Sequence, residues 1–244
     1  MNPDPQPMIS DAVDRLNAGE SAATRRRFVG GAAAAVGGLG LMALPSKAMA
    51  ANDAQTILNI AATAEVLATI VNTVGAEKVD FDDRTTRNNV RAAAYEEKLH
   101  YEFLTANGAK AATTKIWIPD SLFRNEKNLL GGLVAGDQVF VNASLIGVTA
   151  FAAGGQAVLA RYSAEILGVE AVHRALALQS LGKLGNDRAY SRYEFTAIED
   201  AVTAITKLGF GLGTAGKGKG RFYEYSEVSK RTPKPGGVNT LKPA

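Results

Sequence analysis

Both histidines of this 244-residue chain stand in the same phrase: His100 follows Glu97 by three residues, and His173 follows Glu170 by three. On an α-helix that spacing stacks the two side chains on one face. Apolar and small residues continue each face, with Val90, Ala93 and Leu104 around the first pair and Leu159, Ser163, Ile166 and Ala177 around the second. The glutamates are therefore expected to point into a helical core, where an uncompensated carboxylate is costly. Carboxylate oxygens and imidazole nitrogens converging between helices form a hard-to-borderline ligand set, suited to iron, manganese or zinc. Glu65, on the inward stripe of an earlier segment, adds a third carboxylate.

The helices that would carry these groups are legible in the periodicity. Over 53–75, Leu58, Ala61, Ala62, Glu65, Ala68 and Thr69 recur at the spacing of one helix face, with Asp53 as N-cap and Gly75 as stop. A second helix is predicted over 83–106, ending at Asn107-Gly108. The stretch 115–128, with Pro119, reads as a crossing connection, followed by a short helix over 129–134 and a third long helix over 137–153 that stops at Gly154-Gly155. A fourth is predicted over 156–184 and a shorter fifth over 194–208. Long helices, few strand-type alternations and one long crossover between the second and third describe an all-α four-helix bundle. An irregular tail follows over 209–244.

The chain is 46% hydrophobic and 21% charged, enough apolar material for a core, and no 20-residue apolar span marks an internal membrane helix. Its formal charge of +3 is too small an excess to argue for a nucleic-acid surface. The absence of cysteine excludes disulfides, thiolate nucleophiles and cysteine-ligated metals, but a carboxylate–imidazole site needs no thiolate.

The first fifty residues read as an address. Thr24-Arg25-Arg26-Arg27-Phe28 precedes a weakly apolar Gly/Ala stretch over 29–44, and Ala48 and Ala50 supply the small residues before a cleavage point. The arginines and the low hydrophobicity resemble a twin-arginine export signal, which implies a periplasmic protein folded before export. An uncleaved anchor is the alternative, but 16 glycine-diluted residues fall short of the ~20 needed to span. Removing residues 1–50 takes away five basic and four acidic residues and leaves 22 against 20, so charge says little about partners. The mature chain divides into helices over 51–208 and the tail over 209–244.

Four stretches resemble the ferritin-like superfamily, and more narrowly the exported ferritin-like family that includes desiccation-related proteins. They are Ile57-Leu58-Asn59 through Glu65; Glu97-Lys98-Leu99-His100 leading to Phe103-Leu104; Ile146-Gly147-Val148-Thr149-Ala150-Phe151; and Ile166 through His173. The resemblance covers about 57–180 and implies a di-metal carboxylate site. It makes Glu65 the lone first-helix carboxylate, Glu97 and His100 the second-helix pair, and Glu170 and His173 the fourth-helix pair, with Glu170 bridging. The third helix departs from the pattern: Ser144 stands at the expected glutamate, with Asn142 nearby and no carboxylate between Asp137 and Glu165. Three outcomes stay open. The site holds one iron or manganese ion, or two with water or Asn142 completing the weaker position, or it is a remnant in which the Glu and His side chains bond to one another.

The functional expectation is an exported metal-binding protein with oxidase-type chemistry toward dioxygen or peroxide, in oxidative or desiccation stress. Tyr95 and Tyr101 are candidate redox neighbours, with packing as the plainer role. The alternative is a non-enzymatic envelope or stress scaffold whose metal site is lost, and whether any reaction is catalysed stays open between them. The tail carries Lys217, Lys219, Arg221, Lys230, Arg231, Lys234 and Lys242. It is read as a solvated extension or as a weak contact with membrane or cell wall. Its run Phe222-Tyr223-Glu224-Tyr225 is expected to fold back onto the helices. The glycines over 209–220 follow a helix rather than a strand, so a dinucleotide site lacks its context.

Overall fold

The computed structural model describes residues 52–191 and 193–243; the export signal expected over residues 1–50 lies outside the described residues. Asp53 opens α1 (Ala54–Lys78), its carboxylate accepting from the Thr56 N–H at 2.9 Å. Asp83 opens α2 (Arg84–Ala106) in the same way, accepting from the Thr86 N–H at 2.7 Å. In each case the side chain satisfies an N–H that the first turn leaves without a helical acceptor. Past Asn107, Gly108 adopts φ +90° and turns the chain out of α2.

Gly75 does not end α1, as the sequence had suggested. It lies inside the helix, where a Cβ would come within 2.8 Å of the Leu129 side chain. The glycine there serves close packing rather than termination.

Residues 107–125 connect α2 to the next helix and contain β1 (Lys115–Pro119) and a 3-10 turn (Asp120–Phe123). The expected short helix over 129–134 and the separate helix from 137 are one element, α3 (Glu126–Ala153). Gly131, Gly132 and Gly136 each weaken helix propensity by ~1 kcal/mol. Burial of Leu129, Leu130 and Leu133 against the core outweighs them. Then come α4 (Ala157–Ser180) and α5 (Glu199–Lys207), both shorter than expected.

The long helices pack α1 on α2 and α3 on α4, with further contacts between α1 and α3 and between α2 and α4; α5 lies on α3 and α1. Val66, Ile70 and Val74 of α1, Leu129 and Leu130 of α3 and Ala177 of α4 share one core. By length and composition α1 and α3 are apolar enough to cross a membrane, against the expectation of no such span. The apolar windows of the two are 72% and 56% buried within the fold, which is how core helices pass that test.

Where an irregular tail was expected, the chain forms β2 (Gly211–Leu212), β3 (Gly220–Glu224) and the one-turn helix α6 (Tyr225–Val228). β1 is the centre of an antiparallel sheet in the order β2-β1-β3, with Trp117 opposite Gly211 and Phe222. Its alternation puts Ile116 and Ile118 into the core. Tyr225 and Val228 are buried, and beyond them the Thr232 and Thr73 hydroxyls bond at 3.0 Å. Of the aromatic run, Tyr225 packs on Tyr101 of α2 and Tyr223 accepts from Lys78 of α1, whereas Phe222 stays exposed on Trp117 of the sheet. Among the described residues the protein is mostly helical, 61% helix against 6% strand, with a small sheet that composition alone did not indicate.

Candidate metal centre

Helix register carries the site. Glu65 comes from α1, Glu97 and His100 from α2, and Glu170 and His173 from α4, and the five side chains meet between the helices. Glu97 is fully buried, Glu170 is 1% exposed and Glu65 4%. His100 Nδ1 lies 3.6 Å from Glu65 Oε2, 3.4 Å from Glu97 Oε2 and 3.8 Å from Glu170 Oε1. His173 Nδ1 lies 3.2 Å from Glu97 Oε1 and 3.8 Å from Glu170 Oε2.

These atoms face one another without hydrogen bonds. Glu65 Oε2, both oxygens of Glu97, both oxygens of Glu170, and Nδ1 of each histidine are all buried and unpartnered. Buried polar atoms are ordinarily satisfied, and a convergent group of acceptors and imidazole nitrogens is the arrangement a cation satisfies. Glu65, Glu97, His100 and Glu170 each offer a ligand atom, all within 4.8 Å of one another, so this cluster can hold a metal ion.

The electrostatics show what the cluster does with protons alone. Burial, then the charge of Glu97, raises the pKa of Glu65 well above the usual range, and the same causes bring Glu170 to about 7. Burial would raise Glu97 too, but the imidazoles of His100 and His173 outweigh it and hold its pKa well below normal. Both histidines are raised, since the surrounding glutamates overcome the opposing effect of burial.

Two further carboxylates lie beside the site, and the sequence reading passed over both. Glu96 Oε2 lies 2.7 Å from His173 Nε2, fixing the ring so that Nδ1 faces the cluster. Asp137, in the middle of α3 rather than at its start, is 4% exposed. Its pKa is raised well above normal by burial and by the nearby charge of Glu170, with His173, Glu97 and Arg174 also in range. Asp137 and His173 border the same small cavity, of about 30 Å³. The signal for Asp137 was present in the spacing: it precedes Ser144 by seven residues, two turns along one face.

The substitutes considered for the third helix do not serve. Asn142 is committed to the 193–195 loop: its Nδ2 donates to Phe195 O at 2.9 Å and its Oδ1 accepts from the Glu194 N–H. Ser144 lines an apolar cavity instead of the ligand cluster. Tyr101 packs against Tyr225 with ring centroids 4.4 Å apart, the packing role. Beside the site, Arg174 holds Asp187 through two bonds of 2.8 Å, which ties the segment after α4 back onto that helix.

No family model matches the chain, and neither a curated protein nor a solved structure matches it.

Proposed function

We infer that the protein is an exported ferritin-like metalloprotein whose buried carboxylates and histidines hold two iron or manganese ions. The observation that carries this reading is the symmetric disposition of Glu97 and Glu170, each with one unpartnered oxygen toward His100 and the other toward His173. Glu65 supports the position at His100, and Asp137 supplies the third-helix carboxylate for the position at His173. Four buried carboxylates carry four negative charges when ionised, which two divalent cations offset.

Iron or manganese bound there supplies redox chemistry toward dioxygen or peroxide. The chain's own residues orient and shield that chemistry. Glu96 holds the His173 ring, Glu97 stays ionised between the two histidines, and Phe140 and Ile166 form apolar walls beside Glu170. The likeness to exported ferritin-like proteins in residues 57–180, together with Arg25-Arg26 ahead of a Gly/Ala segment, supports a periplasmic role in oxidative or desiccation stress.

Elemental analysis of the full chain purified from the periplasm tests the metal, with about two equivalents of iron or manganese expected. Less than about a tenth of an equivalent would overturn the reading and leave the scaffold alternative. Fractionation of cells expressing the full chain with Arg25→Lys and Arg26→Lys tests export. The double variant should accumulate in the cytoplasm; unchanged export would reject the twin-arginine route.

A further inference from the structure

A cavity of about 280 Å³ adjoins the ligand cluster. Ile57 and Ala61 of α1, Ala143 and Phe151 of α3, Ile166 of α4 and Ile198 ahead of α5 form much of its wall. Small side chains at Ala61 and Ala143 leave room in its wall, whereas at Gly147 α3 and α4 approach so closely that a Cβ would come within 2.7 Å of the Ser163 hydroxyl. Protein interiors are close-packed, and an apolar void of this size is poorly suited to water.

Polar groups in the wall are few and unevenly engaged. The Thr63 hydroxyl is satisfied, donating to Asn59 O at 2.8 Å and accepting from the Ala112 N–H at 2.9 Å. Glu65 and Glu170, by contrast, line both the cavity and the ligand cluster, and Glu65 Oε2 and both oxygens of Glu170 are buried without partners. Hydroxyls of Thr113, Ser144 and Ser163 also border the space, so its lining is mostly but not wholly apolar, with two unsatisfied carboxylates shared with the cluster. An apolar cavity of about 150 Å³ takes up benzene, so by proportion this one takes about eleven heavy atoms.

We propose that the cavity binds one neutral aliphatic molecule of that size, with its single polar end beside Glu65 and Glu170. The molecule is aliphatic because isoleucine, alanine and phenylalanine offer it no hydrogen bonds, and neutral because an anionic head would meet two carboxylates. This deepens the metal-centre reading by naming the class of molecule admitted beside the ligands; the binding itself does not require that a metal be present.

The test is isothermal titration of the full chain, metal-free and manganese-loaded, with 1-decanol and with triethylene glycol monomethyl ether, which has the same number of heavy atoms. Saturable binding of one decanol per chain and no binding of the ether are expected. Ala61→Leu and Ala143→Leu fill the space from opposite walls, and each should weaken decanol binding about tenfold or more while leaving metal stoichiometry unchanged. The absence of saturable decanol binding to the unaltered chain overturns the proposal, whether or not either variant folds. Equal affinity in a folded variant overturns it as well. Metal uptake without decanol binding rejects the cavity alone, and decanol binding without metal uptake rejects the metal centre alone.

Discussion

Glu97 and Glu170 face each other across the helices as a matched pair, each turning one carboxylate oxygen toward His100 and the other toward His173. None of the four oxygens has a hydrogen-bond partner. Two helices that present the same Glu-x-x-His phrase thus generate a nearly symmetric cage with a histidine at each end.

That symmetry separates the roles of the carboxylates. Glu97→Gln should lower affinity at both metal positions, because the bridging charge is lost from each. Asp137→Asn should spare one equivalent and weaken the other by about 10- to 100-fold. Metal titration followed by elemental analysis distinguishes the two; equal losses in both variants would reject Asp137 as the carboxylate of one position.

Glu96 acts through His173. Glu96→Ala removes the acceptor 2.7 Å from Nε2 and frees the ring to turn, so metal affinity should fall about 10- to 100-fold while the fold is retained. Competition with a chelator of known affinity reads the loss, and unchanged affinity would leave Glu96 as a surface contact only.

Protons and metal compete for the same atoms, and the sign of the pH dependence follows. The pKa values of Glu65, Asp137, Glu170 and both histidines are raised, Glu170 to about 7. The metal-free folded state therefore holds more protons than the unfolded chain, and its stability should fall as pH rises from about 5 through about 7. Glu97 has the opposite shift: its contribution is already complete above the ordinary glutamate value and is lost only as pH falls below it, so it adds no slope over this interval. With metal bound the ligands carry no protons, so stability should rise over the same interval. Denaturant titrations at several pH values, with and without manganese, check for opposite slopes.

The Asp187–Arg174 bridge has a different signature. Hydrogen bonding to Arg174 lowers Asp187 to about 2, so its contribution is present above the usual aspartate value and is lost as pH falls from there through about 2. Asp187→Asn should remove that acid-sensitive component; an unaltered acid transition in the variant would show that the bridge contributes nothing.

Gly75→Ala opposes two effects of different size. Alanine improves helix propensity by about 0.5–1 kcal/mol, but its methyl would sit 2.8 Å from the methyls of Leu129, which is fully buried in the core. Overpacking of that kind costs about 1–3 kcal/mol, so a net loss of stability is expected in thermal unfolding. A gain would show that α1 and α3 separate easily.

Helix-face spacing was enough to bring Glu65, Glu97, His100, Glu170 and His173 onto inward stripes, and the caps Asp53 and Asp83 were readable because capping is local chemistry. Other features depended on partners distant in sequence. Gly75 reads as a stop until Leu129 is packed against it, and the three glycines of α3 read as breaks until the core buries the leucines around them. β1 is too short to announce itself, and becomes a strand because β3, about a hundred residues later, supplies its hydrogen bonds. Asp137, which reads as a helix start, lies in mid-helix beside the cluster, and Ser144, which reads as the missing ligand position, faces an apolar cavity, for the same reason. A sequence fixes which residues share a helix face, whereas the rotation and height of that helix against its neighbours decide which of them reaches the centre.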